Sequence, residues 1–199
     1  MRPAFALIAA TLFLTSRPVG AEERIDVGLL LGTTRPTDEG TTLQFKREIT
    51  YQATLGWRIC SGKRVAIAIE VPFLASPAFE VTTPGNALPL EYASLYLTPG
   101  VRVILPTGGP VSVFGTAGAG YARYSESKLK ADRSPNPNQQ DTNAGAVHVG
   151  GGVDVRGLGW LGFRAEVRDI ITGARKFSIA TPGPAVHNVA SSAGLVVRF

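Results

Sequence analysis

The fold is decided by the last twelve residues of the chain, Asn188-Val-Ala-Ser-Ser-Ala-Gly-Leu-Val-Val-Arg-Phe199. Odd-numbered positions from Val189 to Phe199 form one, mostly apolar, face of a strand, and the even-numbered positions form the other face. A strand that continues to the end of a chain is unusual for a soluble domain, whose termini usually fray. The same alternation recurs in seven segments upstream, so we predict eight strands, each with one apolar face.

The eight segments differ in how regular their alternation is. Arg47–Ile59 is the most regular, whereas Pro99 interrupts the fourth segment. Because a proline cannot donate to a β-ladder, we expect a bulge or a local kink at Pro99. The eight segments are Arg24–Thr34, Arg47–Ile59, Arg64–Phe73, Tyr92–Leu105, Val111–Tyr124, Ala144–Arg156, Trp160–Ile171 and Asn188–Phe199.

The connections alternate strictly between long and short. The short turns are expected around Ser61-Gly62, Pro106–Pro110 and Gly157–Gly159, and the long loops at Arg35–Lys46, Leu74–Glu91, Ser125–Asn143 and Thr172–His187. Antiparallel strands joined in this way place all short turns at one end and all long loops at the other. Bacterial outer-membrane barrels have short periplasmic turns and longer external loops. We therefore predict an all-β fold, an eight-stranded antiparallel up-and-down transmembrane β-barrel.

The first residues have the pattern of a secretory signal peptide. A basic start at Arg2 precedes a largely apolar run over Ala4–Leu14, and small residues end at Ala21. We expect a signal peptide over residues 1–21 and the barrel domain over residues 22–199. The alternative, an N-terminal membrane anchor, requires a longer apolar run than this one, since a spanning helix needs about 20 residues.

Composition excludes several classes of protein. The net charge of +5 is mild and scattered along the chain, which argues against a nucleic-acid partner. Cys60 is the one cysteine, so an internal disulfide cannot form and the fold depends on strand pairing and packing. We expect Cys60 to be a small apolar residue at a strand end.

The charges lie on the face opposite to the apolar one. A soluble ligand-binding barrel would show the reverse, with charges outside and an apolar lumen. The pattern therefore predicts apolar side chains toward lipid and charges toward the interior. The charged residues assigned to the inner face are Asp26, Arg58, Arg64, Glu70, Arg102, Asp154, Arg156, Arg164, Glu166, Arg168 and Arg198.

Aromatic residues give weaker support for two membrane boundaries. Trp57, Trp160 and Phe199 are at the short-turn ends of their strands, and Tyr51 and Phe73 are nearer the long loops. Trp160 is at an even-numbered position, as Arg164 is, so the alternation would place it on the inner face unless the preceding turn shifts the register. Aromatic residues are common in the strands of any β protein, which is the alternative explanation.

The chain resembles the OmpA/OmpX-type family of small outer-membrane β-barrels over essentially its whole mature length. Two features carry the resemblance. One is the alternation of long loops and short turns between eight strands, and the other is Gly194–Phe199, which is similar to the C-terminal strand signal read by the barrel-assembly machinery. It implies an assembly signal at Phe199 and the outer membrane as the location.

An eight-stranded barrel leaves an interior that side chains can fill. Charges inside must be paired, because an isolated buried charge is costly. We predict a charge network in the lumen that excludes an open pore. Glu70 and Glu166 could instead be a catalytic carboxylate pair, although arginines on both sides of Glu166 favour the network. The predicted network comprises Glu70, Arg102, Asp154, Arg164, Glu166 and Arg168.

Few residues are candidates for catalysis or for metal binding. Outer-membrane lipid A deacylases are also eight-stranded barrels and use a His-x-Ser pair, but His148 is followed by Val149 and Gly150. His187 has no metal-ligand spacing to another residue. We therefore predict that the protein is not an enzyme and that it has no catalytic residue, no cofactor and no metal.

The expected role is structural or surface-interacting, through four external loops. The third loop, Ser125–Asn143, is expected to be mobile, and its residues Lys128, Lys130 and Arg133 could meet lipopolysaccharide phosphates or simply be solvated. The expected partners are outer-membrane lipid, lipopolysaccharide and the barrel-assembly machinery, and the expected state is a monomer. Two alternatives stay open: an outer-membrane lipid A-modifying hydrolase, and a soluble periplasmic ligand-binding β-barrel.

Overall fold

The computed structural model describes residues 24–37, 44–45, 48–83, 86–129, 134–137, 139–173 and 185–199. Among these residues, no helix is long and apolar enough to cross a membrane. The ten strands are β1 (Ile25–Thr37), β2 (Gln44–Phe45), β3 (Glu48–Ser61), β4 (Ala66–Thr83), β5 (Asn86–Leu97), β6 (Gly100–Pro106), β7 (Val111–Glu126), β8 (Asp141–Arg156), β9 (Leu161–Gly173) and β10 (Ala185–Arg198).

The strands close into one antiparallel barrel. The first strand, β1, pairs with both β3 and β10, and the ladder continues through β9 and β8 to β7. Strands β5 and β6 lie end to end, and each pairs with β4 on one side and β7 on the other. Together they form one barrel strand, and the two-residue β2 only extends the sheet beside β4. The predicted eight-stranded antiparallel barrel is confirmed.

The predicted interruption at Pro99 is present as a break between β5 and β6, without a bulge. Leu97 pairs with Phe73 and Tyr121, and Gly100 pairs with Glu70 and Gly118, so the register is the same on both sides of the break. The proline lacks a donor, while its carbonyl accepts a hydrogen bond of 3.0 Å from the Ala119 N–H. The ladder therefore keeps its register across the proline, which itself cannot donate.

Bulges occur elsewhere. The register of β3 against β4 shifts between Arg58 and Cys60, and that of β4 against β5 shifts between Ser76 and Phe79. A bulge inserts an extra residue on one strand and increases its local twist. The first shift lies beside the short turn, and the second lies where the barrel wall continues toward the long loops.

The expected long loop over Leu74–Glu91 is wrong. β4 continues to Thr83 and β5 begins at Asn86, so most of this segment forms a paired hairpin. Pro77, Pro84 and Pro89 made the segment look like a loop, yet the alternation continues, with Leu74 and Ser76 buried. Strand β10 likewise begins at Ala185, which places His187 in a strand and not in the last loop.

The two faces of the barrel wall have the predicted polarity. Leu55 is 51% exposed on the outer face, whereas Arg164 is fully buried inside. Ile67 and Val197 are half-buried on the outer face. Outward apolar side chains form a belt around the barrel, including Leu29, Leu31, Leu55, Ile69, Val101, Val103, Val113, Val147, Val149, Val153, Phe163, Val167 and Leu195.

Polar pairs mark the edge of the belt toward the long loops. The guanidinium of Arg123 lies 2.9 Å from the carboxylate of Asp141 on the outer surface. A hydrogen bond of 2.8 Å joins His187 Nδ1 to Asp169 Oδ2. All four residues face outward beyond the apolar positions of their strands, so the strands extend past the belt at this end.

Candidate functional site

The interior of the barrel is held by four buried arginines, of which Arg164 is the most extensively paired. Asp154 on β8 stands directly opposite Arg164 on β9, so the register brings guanidinium and carboxylate together. Arg164 Nε and Nη2 donate to the two oxygens of Asp154 at 2.7 and 3.0 Å. Its Nη2 also lies 3.3 Å from Asp26 Oδ1. Two-point contact of this kind fixes the orientation of both groups.

A second arginine connects strands on opposite sides of the barrel. Arg102 Nη1 donates to Glu70 Oε2 at 2.7 Å, and Arg102 Nη2 donates to Asp26. Strand β6 provides Arg102, β4 provides Glu70 and β1 provides Asp26. Arg102 therefore ties the neighbouring strands β6 and β4 to β1, which pairs with neither of them.

The third arginine, Arg168, lies toward the middle of the interior. It donates to both Glu166 and Glu70, and its Nη1 lies 3.1 Å from His148 Nε2. Gln52 Nε2 donates to Glu166 Oε1 at 2.6 Å, and Ser192 donates to Gln52 at 2.7 Å. Glu166 is thus held on several sides by donors.

The structure brings together all six residues of the predicted lumen network, which we call the charge network: Glu70, Arg102, Asp154, Arg164, Glu166 and Arg168. It adds Asp26 and Arg198, so that four buried carboxylates face four buried guanidinium groups. Such a balance is what a low-dielectric interior requires, since an unpaired buried ion costs several kcal/mol. The sequence could have identified these two residues, because the alternation assigns both to the inner face. They stand opposite each other on paired strands, Asp26 on β1 and Arg198 on β10.

Phe114 fills the space between two of these guanidinium groups. The Arg164 Cζ lies 5.2 Å from the centre of the ring, and the Arg102 Cζ lies 5.7 Å from it. Both distances are within the range of a cation–π attraction. The ring therefore fills apolar space beside both guanidinium groups.

A second group of side chains, which we call the tyrosine plug, fills the half of the barrel nearer the long loops. Tyr92, Tyr96 and Tyr124 are almost completely buried there. Tyr124 packs edge to face against Tyr92 and Tyr96, with ring centres 6.2 and 5.9 Å apart. Its hydroxyl lies 2.8 Å from Thr172 Oγ1. Sequence reasoning missed this plug, because even-numbered positions were read mainly for charge.

His148 lies between the charge network and the wall. Its Nε2 lies 3.2 Å from Thr116 Oγ1, and the ring is 3% exposed. Since Arg168 can only donate, Nε2 must accept from it, which leaves the proton on Nδ1 in the neutral ring. Nδ1 has no partner in the described part of the chain. This arrangement gives the histidine a packing and hydrogen-bonding role inside the wall.

Three arginines assigned to the inner face lie outside the network. Arg64 is exposed in the turn before β4, and Arg156 is exposed at the end of β8. Arg58 is half-buried at the short-turn mouth. Their strands reach the barrel rim at these positions, so alternation no longer determines whether a side chain is enclosed.

Aromatic residues lie on the outer surface at the short-turn end of the barrel. Trp57 is 58% exposed on β3, and Trp160 is 55% exposed. Trp160 precedes β9 and lies in the turn, which removes the conflict with its parity. Phe199 pairs with the start of β1, its N–H donating to the Ile25 carbonyl at 2.8 Å.

The described residues of the third loop contact one another. An isolated bridge pairs Leu129 with Pro135, and the Asn136 N–H donates to the Lys128 carbonyl at 2.8 Å. Lys128 is exposed, whereas Lys130 and Arg133 lie outside the described residues. Cys60 is exposed as a free thiol at the end of β3. Within the described ranges, no group of three or more His, Cys, Asp or Glu residues could hold a metal ion.

Comparison with solved structures finds the same fold in small outer-membrane barrels. Neisserial surface protein A aligns with a TM-score of 0.59 and 14% identity, over 88% of this chain and 97% of that chain. Ail, the attachment invasion locus protein of Yersinia pestis, aligns with a TM-score of 0.55 and 12% identity, over 88% and 99% of the two chains. The resemblance to OmpA/OmpX-type barrels is therefore confirmed for the fold. No family model and no curated protein matches the chain.

Proposed function

We propose that this protein is a small integral outer-membrane β-barrel with a structural or surface-interaction role, carried by its external loops. It has neither an open pore nor an enzymatic activity. The observation that supports this proposal most strongly is the continuous filling of the interior, from the charge network near the short turns to the tyrosine plug near the long loops.

Membrane insertion is supported by the polarity of the wall. Each of the eight barrel strands pairs with a neighbour on both sides, which is required of backbone in hydrocarbon. The outward side chains of the belt are apolar, and its edges carry tryptophans at one end and polar pairs at the other. Aromatic and polar residues are enriched at such boundaries. We place the short turns in the periplasm and the long loops at the cell surface.

The absence of enzymatic activity is supported by the contacts of the buried carboxylates and of the buried histidine. Both Glu70 and Glu166 accept hydrogen bonds from Arg168, so each carboxylate is already engaged with a buried guanidinium group. His148 is enclosed by Thr116 and Arg168 in the middle of the barrel. A general base must reach its substrate, and packed side chains lie on both sides of this ring.

A surface role is supported by the length of the β4–β5 hairpin, which extends beyond the apolar belt on the side of the long loops. The β4–β5 hairpin is paired as far as Thr83 and Asn86, well beyond Phe73 and Leu97 in the belt. It would therefore project a rigid edge from the membrane on the loop side. We further propose a cleaved signal peptide over residues 1–21, an assembly signal at Phe199 and a monomeric state. The proposed partners are outer-membrane lipid, lipopolysaccharide and the barrel-assembly machinery.

Four measurements test this proposal. In cell fractionation the protein should remain in the outer membrane, and an unheated sample in detergent gels should migrate differently from a boiled one. In planar bilayers the refolded protein should produce no conductance steps above the lipid baseline. Reproducible steps that scale with salt concentration would contradict the filled lumen. A change in lipid A mass when the protein is expressed would contradict the absence of enzymatic activity.

A further inference from the structure

The three short turns of the barrel differ in the side chains that they expose. The tip of the β3–β4 turn, residues 62–64, is Gly-Lys-Arg, and the tip of the β6–β7 turn, residues 107–109, is Thr-Gly-Gly. The β8–β9 turn, residues 157–160, is Gly-Leu-Gly-Trp and has no charged or hydroxyl side chain. One turn of the three is therefore apolar, and the other two are polar or bare.

Leu158 is the most exposed residue of the apolar turn. It is 82% exposed, the highest value among the large apolar residues that the structure describes, and Trp160 is 55% exposed. Both residues lie beyond the last pair of the hairpin, Arg156 and Gly162. Adjoining apolar side chains that stay exposed mark a surface that contacts another molecule or a membrane.

Backbone hydrogen bonds hold this turn in place. The Leu161 N–H donates to the Leu158 carbonyl at 2.9 Å, and the Arg198 N–H donates to the Trp160 carbonyl at 2.7 Å, which ties the turn to the end of β10. Gly159 has a φ of 52°, in the left-handed region that glycine adopts without a steric penalty. The position of Leu158 and Trp160 is therefore determined by the backbone and not by burial of their side chains.

The turn continues the apolar belt of the wall. Val155 and Phe163 pair across β8 and β9 next to the turn, and both face outward, with exposed fractions of 37% and 45%. On the β9 side of the hairpin, residues 160–163 are Trp-Leu-Gly-Phe, so no charged side chain separates the turn from the belt. The surface that faces lipid therefore extends without interruption to the end of this hairpin.

From this continuity we propose that the β8–β9 turn is an interfacial anchor, in which Leu158 and Trp160 insert into the phospholipid leaflet on the short-turn side. A leucine side chain gains free energy when it leaves water. Tryptophan favours the lipid–water boundary, where its ring is buried and its indole N–H still finds an acceptor. The charged tip of the β3–β4 turn stays in water, so the anchor lies on one side of the barrel only. The inference rests on the proposed membrane insertion and adds a contact beyond the belt.

The direct test is spin labelling of the full mature chain refolded in phosphatidylcholine vesicles. Cys60→Ser removes the one native thiol, and Leu158→Cys or Thr107→Cys then carries a nitroxide at the tip of a different short turn. Oxygen concentrates in lipid and a nickel chelate stays in water, so the ratio of their collision rates with the nitroxide reports its depth. We expect this ratio to be about fivefold higher at position 158 than at position 107. Equal ratios at the two positions would overturn the anchor, as would a label at position 158 that lies in water because the turn meets a periplasmic protein instead.

A second test leaves the turn without a label. In Trp57→Phe the remaining tryptophan is Trp160, and lipids brominated near the glycerol end of their acyl chains should quench its fluorescence. Leu158→Ser should reduce this quenching about twofold, because the turn loses its most exposed apolar side chain. Thr107→Ser, the matched control, should leave it unchanged. Both replaced residues are exposed, so neither variant loses packing inside the barrel. Equal quenching of Trp160 with and without Leu158 would contradict the anchor.

The gel mobility of unheated and boiled samples separates this proposal from the proposed function. If the mobility depends on heating and the label at position 158 lies in water, the anchor is wrong while the membrane barrel stands. If the mobility does not depend on heating, the membrane barrel itself is wrong, and the anchor is wrong with it.

Discussion

Asp154 and Arg164 face each other across β8 and β9, and two hydrogen bonds of 2.7 and 3.0 Å join them where both side chains are almost fully buried. The pair lies next to Phe114, whose ring is 5.2 Å from the guanidinium carbon. A salt bridge in this environment makes the position of each partner sensitive to the loss of the other. The interior should therefore respond to single changes of charge much more strongly than the surface does.

Replacing Glu166 by glutamine should lower the free energy of unfolding by about 3–5 kcal/mol, because Arg168 loses one of its two buried counter-ions. Tryptophan fluorescence during urea unfolding from lipid vesicles measures this loss. The control is Asp141→Asn, which removes an exposed partner of Arg123 and should cost at most about 1 kcal/mol. Unchanged stability of Glu166→Gln would refute the charge network as a stabilising element.

Replacing Gly56 by alanine should also destabilise the barrel. A methyl group there would lie 2.7 Å from both Asp26 Oδ1 and Arg102 Nη2, so the ion pair would have to move. We expect a loss of about 1–3 kcal/mol, as for other overpacked interiors. At Gly145 a methyl group would meet no atom within 4 Å, and Gly145→Ala should be neutral or stabilising by up to about 1 kcal/mol. Equal effects of the two variants in urea titrations would contradict the close packing at Gly56.

The tyrosine plug provides a third test, based on two tyrosines of the same strand. Tyr124→Ala removes a buried ring and should cost about 3–5 kcal/mol. Tyr121 faces outward, is 41% exposed and donates a hydrogen bond of 2.6 Å to Asn143. Tyr121→Ala should therefore cost only about 1 kcal/mol. The heating temperature at which gel mobility changes reports both losses, and a larger effect at Tyr121 would argue against a packed plug.

The number of strands and the direction of their faces could be predicted from sequence, because both follow from an alternation of period two. The inward positions of Glu70, Arg102 and Arg164 followed from the same alternation. Strand ends were less predictable. Pro77 and Pro89 suggested a loop, whereas the register shift between Ser76 and Phe79 allows the hairpin to continue.

The partners inside the barrel could not be predicted, because they depend on the stagger between strands. Gln52 and Glu166 are 114 residues apart and meet only because closure brings β3 and β9 to the same height. The tyrosine plug has the same origin, since Tyr92 and Tyr124 come from different strands. Alternation determines which face a residue is on, and the stagger determines which residues share a level.

A barrel in the membrane requires that the apolar side chains of its wall point outward, and brominated lipids measure this directly. Bromine atoms on acyl chains quench tryptophans in contact with lipid, so single-tryptophan proteins can be compared after replacing Trp57 and Trp160 by phenylalanine. Leu55→Trp should be strongly quenched, because Leu55 is 51% exposed on the outer face, while Phe114→Trp should be almost unaffected, because Phe114 is 5% exposed inside. Strong quenching of Phe114→Trp, with Leu55→Trp unaffected, would contradict the account.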